Sequence, residues 1–166
     1  MRVRFTIAAI VVFVMASMAY FVLARKSAVP QATFVLLSGR TLSTFSLRGQ
    51  VYLVNFWATS CATCIKEMPK MVKTYERFKG RDFEFIAVDM SYDPLPYVTD
   101  YTSTRHLPFE VAKDVGGRLA REFYDVRLTP TTFLVDKQGN IVKRILGEPD
   151  FSELDRLIQH ELAKNA

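Results

Sequence analysis

Apolar positions fall into three kinds of run along the chain. The first is one long stretch, residues 5–24, apolar and without a charge. The second kind is short and almost continuous: residues 51–57 and 83–90. Runs of that length suit strands covered on both faces. The third recurs at helical spacing. Met68, Met71, Val72, Tyr75 and Phe78 predict a helix over 63–79, with a kink where Pro69 interrupts it. Leu154, Leu157, Ile158 and Leu162 predict another over 151–163, with Asp150 and Glu153 spaced as a capping box. A helix over 95–105 is entered through Pro94 and Pro96, and a short one after Gly116-Gly117 presents Leu119, Ala120 and Phe123. Residues 33–37 and 41–45 read as a hairpin around Ser38-Gly39, and 109–112 as a short strand. Residues 132–135 and 141–146 flank a short turn bearing Gly139 and should pair antiparallel. The order β-hairpin, β, α, β, α, β, α, β, β, α predicts an α/β sandwich with a mixed sheet.

The long apolar run is about the length that crosses a bilayer as a helix, roughly twenty residues. It lacks the polar face of a core helix. We read residues 1–26 as a membrane anchor with basic flanks, 27–32 as a linker and 33–166 as the folded domain. A cleavable signal peptide is the rival, with Ser17-Met18-Ala19 as its small-residue site, but the run continues past it through Ala24. Arg2 and Arg4 precede the run and Arg25 and Lys26 follow it, so loop charge nearly ties on orientation. The very short basic tail favours an N-in anchor, with the domain outside the cytoplasm. The net charge of +5 rests largely on these four residues, since without them 18 Lys and Arg face 17 Asp and Glu. A nucleic-acid partner would need a basic patch on the folded part, and the sequence offers none.

The chain has two cysteines, both in one C-x-x-C, so its core does not depend on a disulfide framework. Asn55-Phe56-Trp57-Ala58-Thr59-Ser60-Cys61-Ala62-Thr63-Cys64 runs from a buried strand into a helix. Residues three apart on a helix share a face at about 5–6 Å, close enough to close a disulfide. Cys61 falls at the helix N-terminus, where free N–H groups and the helix dipole stabilise a thiolate. Cys64 lies one turn deeper and can attack a mixed disulfide formed on Cys61. Two bland alternatives are inert core cysteines and a passive disulfide. A zinc site would need further ligands, and His106 in a loop and His160 on the polar side of the last helix are poorly placed. Copper handling by the dithiol stays open.

The segment Asn55 to Cys64, continued by Ile65-Lys66-Glu67-Met68-Pro69, closely resembles the active-site segment of the TlpA-like thioredoxins, the branch that includes ResA and CcmG. Leu128-Thr129-Pro130-Thr131-Thr132-Phe133-Leu134-Val135-Asp136, Gly139 and the middle segment 91–125 resemble the same family. The resemblance covers the chain from about residue 33 onward. It implies a thioredoxin fold with an N-terminal hairpin and a middle insertion.

It also implies roles. Cys61 would be the nucleophile and Cys64 the resolving thiol. Pro130 would be a cis-proline facing the dithiol. Thr129 before it would offer its backbone to an extended substrate, with Trp57 beside the site as a substrate contact or a core aromatic. Glu67, on the Cys64 face of the helix, would do acid–base work. Asn55 stands where general thioredoxins carry a buried Asp, and an amide cannot shuttle protons. Ser60 stands where the family usually has Trp, which would open the site. Ala62-Thr63 carries neither the Pro of thioredoxin nor the His of strong oxidants, so it does not set the redox direction. The implied activity is reduction of disulfides in partner proteins on the extracytoplasmic side of a bacterial inner membrane, with apocytochrome c as the substrate the family suggests. No bound cofactor is implied, and a membrane protein of the CcdA/DsbD kind would supply electrons. A disulfide oxidant or isomerase, and a copper-handling dithiol protein, are the alternatives.

Overall fold

The computed structural model describes residues 27–164 continuously, together with Phe13, Met15, Ser17 and Met18. The expected span over 5–24 thus lies outside the continuously described chain. Among the described residues no helix is long and apolar enough to cross a membrane.

Among the described residues seven strands and four α-helices follow the predicted order. They are β1 (Thr33–Val35), β2 (Thr41–Ser43), β3 (Val51–Trp57), α1 (Ala62–Phe78), β4 (Phe83–Asp89), α2 (Leu95–Thr104), β5 (Glu110–Lys113), α3 (Arg118–Glu122), β6 (Thr131–Val135), β7 (Ile141–Leu146) and α4 (Phe151–Ala163). Five strands form one mixed sheet in the order β5-β4-β3-β6-β7. β3, β4 and β5 run parallel, while β6 pairs antiparallel with both β3 and β7.

All seven residues of β3 are buried, as expected for the central strand. Its side chains alternate between two half-cores. Tyr52, Val54 and Phe56 join Phe34, Phe123 and Phe133 on one face. Val51, Leu53 and Trp57 join Cys64, Met68, Met71 and Ile158 under α1 and α4 on the other. Asn55 shares that second face by the period-two rule, which aims its amide at α1. The first half-core is built on aromatic rings, with Phe123 centred 5.4 Å from Phe56 and 5.5 Å from Phe133. α1 continues through Pro69 as one helix of 17 residues.

Two expectations about local structure change. The hairpin strands are shorter than predicted because the chain turns away to other partners. Leu36 bridges to Ala112 and the Leu37 N–H donates to the Val111 carbonyl, so the hairpin hooks onto the β5 edge. Residues 27–32 are not a free linker. Ala28 bridges to Asn140, and the Ile141 N–H donates to the Ser27 carbonyl at 2.7 Å, which occupies backbone groups at the start of β7. Asp150 caps α4 as expected, accepting from the Ser152 and Glu153 N–H groups at 2.9 and 3.0 Å. The other half of the box is replaced: Glu153 accepts from Lys143 of β7 at 2.6 Å.

Candidate active site

Strand β3 ends at Trp57, and a tight turn hands the chain to α1. The Cys61 N–H donates to the Ala58 carbonyl at 3.1 Å, which closes that turn. Cys61 is then the N-cap of α1 in extended conformation, and its Sγ accepts the Cys64 N–H at 3.2 Å. A cap position normally goes to Ser, Thr, Asp or Asn, whose oxygen accepts a free helix N–H. Here sulfur does so, which places it where a thiolate gains most from the helix N-terminus. Cys61 and Cys64 are joined as a disulfide with Cα atoms 5.2 Å apart. Cys61 is half-buried and Cys64 is fully buried, so a partner reaches the first sulfur and not the second.

One turn beyond Cys64, Glu67 is completely buried on the same face of α1. Its Oε1 accepts from Asn55 Nδ2 at 3.2 Å, and the same amide donates to Thr132 Oγ1 at 2.9 Å. The cross-strand pairing of Asn55 with Thr132 sets this arrangement. Glu67 Oε2 and Asn55 Oδ1 have no hydrogen-bond partner among the described residues. Burial pushes the Glu67 carboxyl up to about 8, and the single bond from Asn55 only partly offsets that. A proton acceptor in the thiol range therefore lies on the Cys64 face of the helix.

The Thr129–Pro130 peptide bond is cis, as the resemblance implied. Pro130 sits one residue before Thr131, which pairs with Phe56, so it lies at the active-site end of β3. Three contacts hold this loop. The Gly147 N–H donates to the Pro130 carbonyl at 2.9 Å, and Thr131 Oγ1 donates to the Leu128 carbonyl at 2.7 Å. Tyr92 and Thr129 share a hydroxyl contact at 3.4 Å. Glu148, next to Gly147, accepts from Lys66 at 2.9 Å and Lys70 at 2.6 Å. The loop after β7 thereby ties the proline loop to the cysteine helix.

The Redoxin family model matches residues 24–158 of the chain. The thiol-disulfide oxidoreductase ResA of Bacillus cereus is 35% identical over 123 residues, 74% of this chain and 70% of that protein. The chain belongs to the TlpA-like thioredoxin family of the ResA/CcmG type. It is thus a thiol-disulfide oxidoreductase with Cys61 and Cys64 as its C-x-x-C pair. A thiol:disulfide interchange protein of Chlorobium tepidum superposes with a TM-score of 0.76 at 30% identity, over 84% of this chain and 99% of that one. StoA of Bacillus subtilis shares the fold at a TM-score of 0.67 and 23% identity, over 78% of this chain and 97% of that one.

Within this family site, the fold brings Cys61, Cys64, Glu67 and Pro130 to one end of β3, with Thr129 half-buried beside them. Trp57 does not fit a substrate contact. It is fully buried, its ring is centred 5.4 Å from Tyr101, and it packs with Cys64 and Met68 as core. Strand alternation points it inward beneath the dithiol. Several residues around the site escaped the sequence reading. Thr132, which holds Asn55, carries no signal in an apolar strand. Asp89, Asp93 and Lys113 are buried or nearly so at the ends of β4 and β5. In the sequence Asp89 stands with Glu84 as one of two carboxylates inside the largely apolar run 83–90.

Proposed function

We propose that this protein reduces disulfides of partner proteins outside the cytoplasm, held to a bacterial inner membrane by residues 5–24. One observation carries the chemical part. A half-exposed sulfur caps a helix, a fully buried sulfur lies behind it, and a buried carboxyl in the thiol pKa range sits one turn further on. In the reduced protein the Cys61 thiolate attacks one sulfur of a substrate disulfide. The S–S bond breaks, one substrate thiolate leaves, and a mixed disulfide joins Cys61 to the substrate. Cys64 then gives its proton to Glu67 and attacks the Cys61 sulfur. The second substrate thiolate leaves and takes up a proton, and Cys61–Cys64 is left oxidised. Two electrons pass from the protein to the substrate, and no bound cofactor takes part.

The backbone of half-buried Thr129, just before the buried Pro130, is the edge against which an extended substrate segment aligns. A membrane donor of the CcdA/DsbD kind recharges the dithiol. Apocytochrome c, whose cysteines must be reduced before haem attachment, is the substrate this family suggests. The ResA name of the relatives and the uncharged apolar run support that placement.

The protein, reduced with dithiothreitol and freed of it, should transfer its electrons to a disulfide-bonded protein such as insulin. The expected result is thiol appearing on insulin mole for mole with loss of thiol from the enzyme. Enzyme thiols that persist in the presence of excess insulin would overturn the reading.

A further inference from the structure

We infer that Asp93 is a positioning residue for the reactive sulfur, acting through Thr59 as a two-pronged clamp on the turn that delivers Cys61. Asp93 sits in the loop between β4 and α2 and is 3% exposed. Its Oδ2 accepts the Thr59 N–H at 2.5 Å and its Oδ1 accepts the Thr59 hydroxyl at 2.8 Å. Thr59 is the second residue of the Ala58–Cys61 turn, closed by the bond from the Cys61 N–H to the Ala58 carbonyl. Fixing Thr59 at both its backbone and its side chain therefore fixes how Cys61 enters α1. In that entry Cys61 Sγ accepts the Cys64 N–H.

The clamp is itself braced. Lys113, at the end of β5, donates to the Asp93 carbonyl at 2.5 Å and the Met90 carbonyl at 2.6 Å, and pairs with the Asp89 carboxylate. The Met90 N–H donates to the Trp57 carbonyl at 2.9 Å. The C-terminal ends of the three parallel strands are thus linked in series: β5 through Lys113, β4 through Met90 and Asp93, β3 through Thr59. This is the end of a parallel sheet where α/β folds place their chemistry.

The arrangement is costly if it serves the fold alone. Two carboxyl groups and most of one ammonium are taken out of water together, where apolar groups would pack at no electrostatic cost. Asp89 shows the strain of this crowding: burial pushes its carboxyl up to about 8, and the neighbouring Asp93 adds to the rise while Lys113 opposes it. Such local expense is expected at functional sites. What the clamp secures is a thiolate in line with the helix N-terminus.

The inference rests on Cys61 being the reactive sulfur, but its readout does not require substrate turnover. In the full chain carrying Cys64→Ser, Cys61 is the only thiol, and its pKa follows from the pH profile of alkylation by iodoacetamide. Thr59→Val keeps the shape and the N–H bond but removes the hydroxyl. It should raise the Cys61 pKa by roughly half a unit, seen as about threefold slower alkylation at neutral pH. Thr59→Ser should restore the parent profile. Asp93→Ala should also raise the pKa, although loss of a nearby negative charge alone would lower it. The sign therefore separates positioning from simple electrostatics. An unchanged pKa in Thr59→Val, an equal rise in Thr59→Ser, or a fall in Asp93→Ala would each overturn the clamp. If Asp93→Ala does not fold, the Thr59 pair decides alone. Failure of insulin reduction with a shifted Cys61 pKa would fault the proposed function and leave the clamp standing.

Discussion

The Cys64→Ser variant should arrest the reaction halfway and accumulate a covalent adduct between Cys61 and a disulfide-bonded protein. The reason lies in the depth of the two sulfurs. Cys61 caps α1 and is half-exposed, so an incoming disulfide meets it first. Cys64 is fully buried behind it, with Cα atoms only 5.2 Å apart, so it can reach the Cys61 sulfur without a large backbone movement. Remove the second thiol and nothing in the chain can break the mixed disulfide, because these are its only cysteines. Mass spectrometry under non-reducing conditions should show the adduct, and dithiothreitol should release it. Cys61→Ser should form no adduct and reduce insulin no faster than the uncatalysed background. Adducts forming equally well through Cys64 in that variant would reverse the assignment of the two sulfurs.

Glu67→Gln should have the second large effect, on rate and on the pH dependence of stability. The carboxyl titrates near 8 in the folded, oxidised protein against an ordinary value of 4.5. Between those two values the unfolded chain has lost the proton that the folded chain retains. Stability therefore falls as pH rises through this window, by about 1.4 kcal/mol per pH unit at most. Below about 4.5 both states hold the proton, and above about 8 neither does, so the group adds no further slope. Gln cannot ionise, and its amide can serve both the Asn55 Nδ2 donor and the otherwise unpartnered Asn55 Oδ1. Glu67→Gln should thus gain stability relative to the parent on going from pH 5 to pH 8, read from urea midpoints. Asp89 titrates in a similar range but is present in both proteins, so the difference isolates Glu67. Resolution of the mixed disulfide should slow by roughly a hundredfold, and its rise toward pH 8 should vanish. A parallel pH profile of stability in the two proteins would show that Glu67 does not hold a proton in this range.

Most of this was legible in the chain because period and chemistry agree. The apolar run of β3, the helical spacing from Met68 to Phe78 and the C-x-x-C at their junction fix the strand–turn–helix unit together. The mixed sheet followed from the Gly139 turn, which forces β6 and β7 to pair antiparallel beside parallel strands. Residues 27–32, read as a linker, also pair with the domain, and nothing local marks this. Their pairing with the domain runs through Val29 N–H to the Gly139 carbonyl and Ile141 N–H to the Ser27 carbonyl, more than a hundred residues away in sequence. Trp57 was ambiguous for a related reason, since an aromatic before a cysteine motif reads the same whether it faces in or out. Only the alternation set by its neighbours in the sheet decides it. The Asp93 clamp was invisible because its three members come from separate segments: Thr59 from the loop after β3, Asp93 from the loop after β4 and Lys113 from the end of β5. An Asp beside a Pro and a Lys after a short strand look like ordinary surface residues until the parallel strand ends bring them together.

The measurement that tests the central claim most directly is the reduction potential of the Cys61–Cys64 couple, taken by equilibrating the full chain against a dithiothreitol or glutathione series. A reductase should show a two-electron couple at about −270 mV or below, in the range of thioredoxin. A value near about −120 mV would mark a disulfide donor and contradict the proposed direction of electron flow.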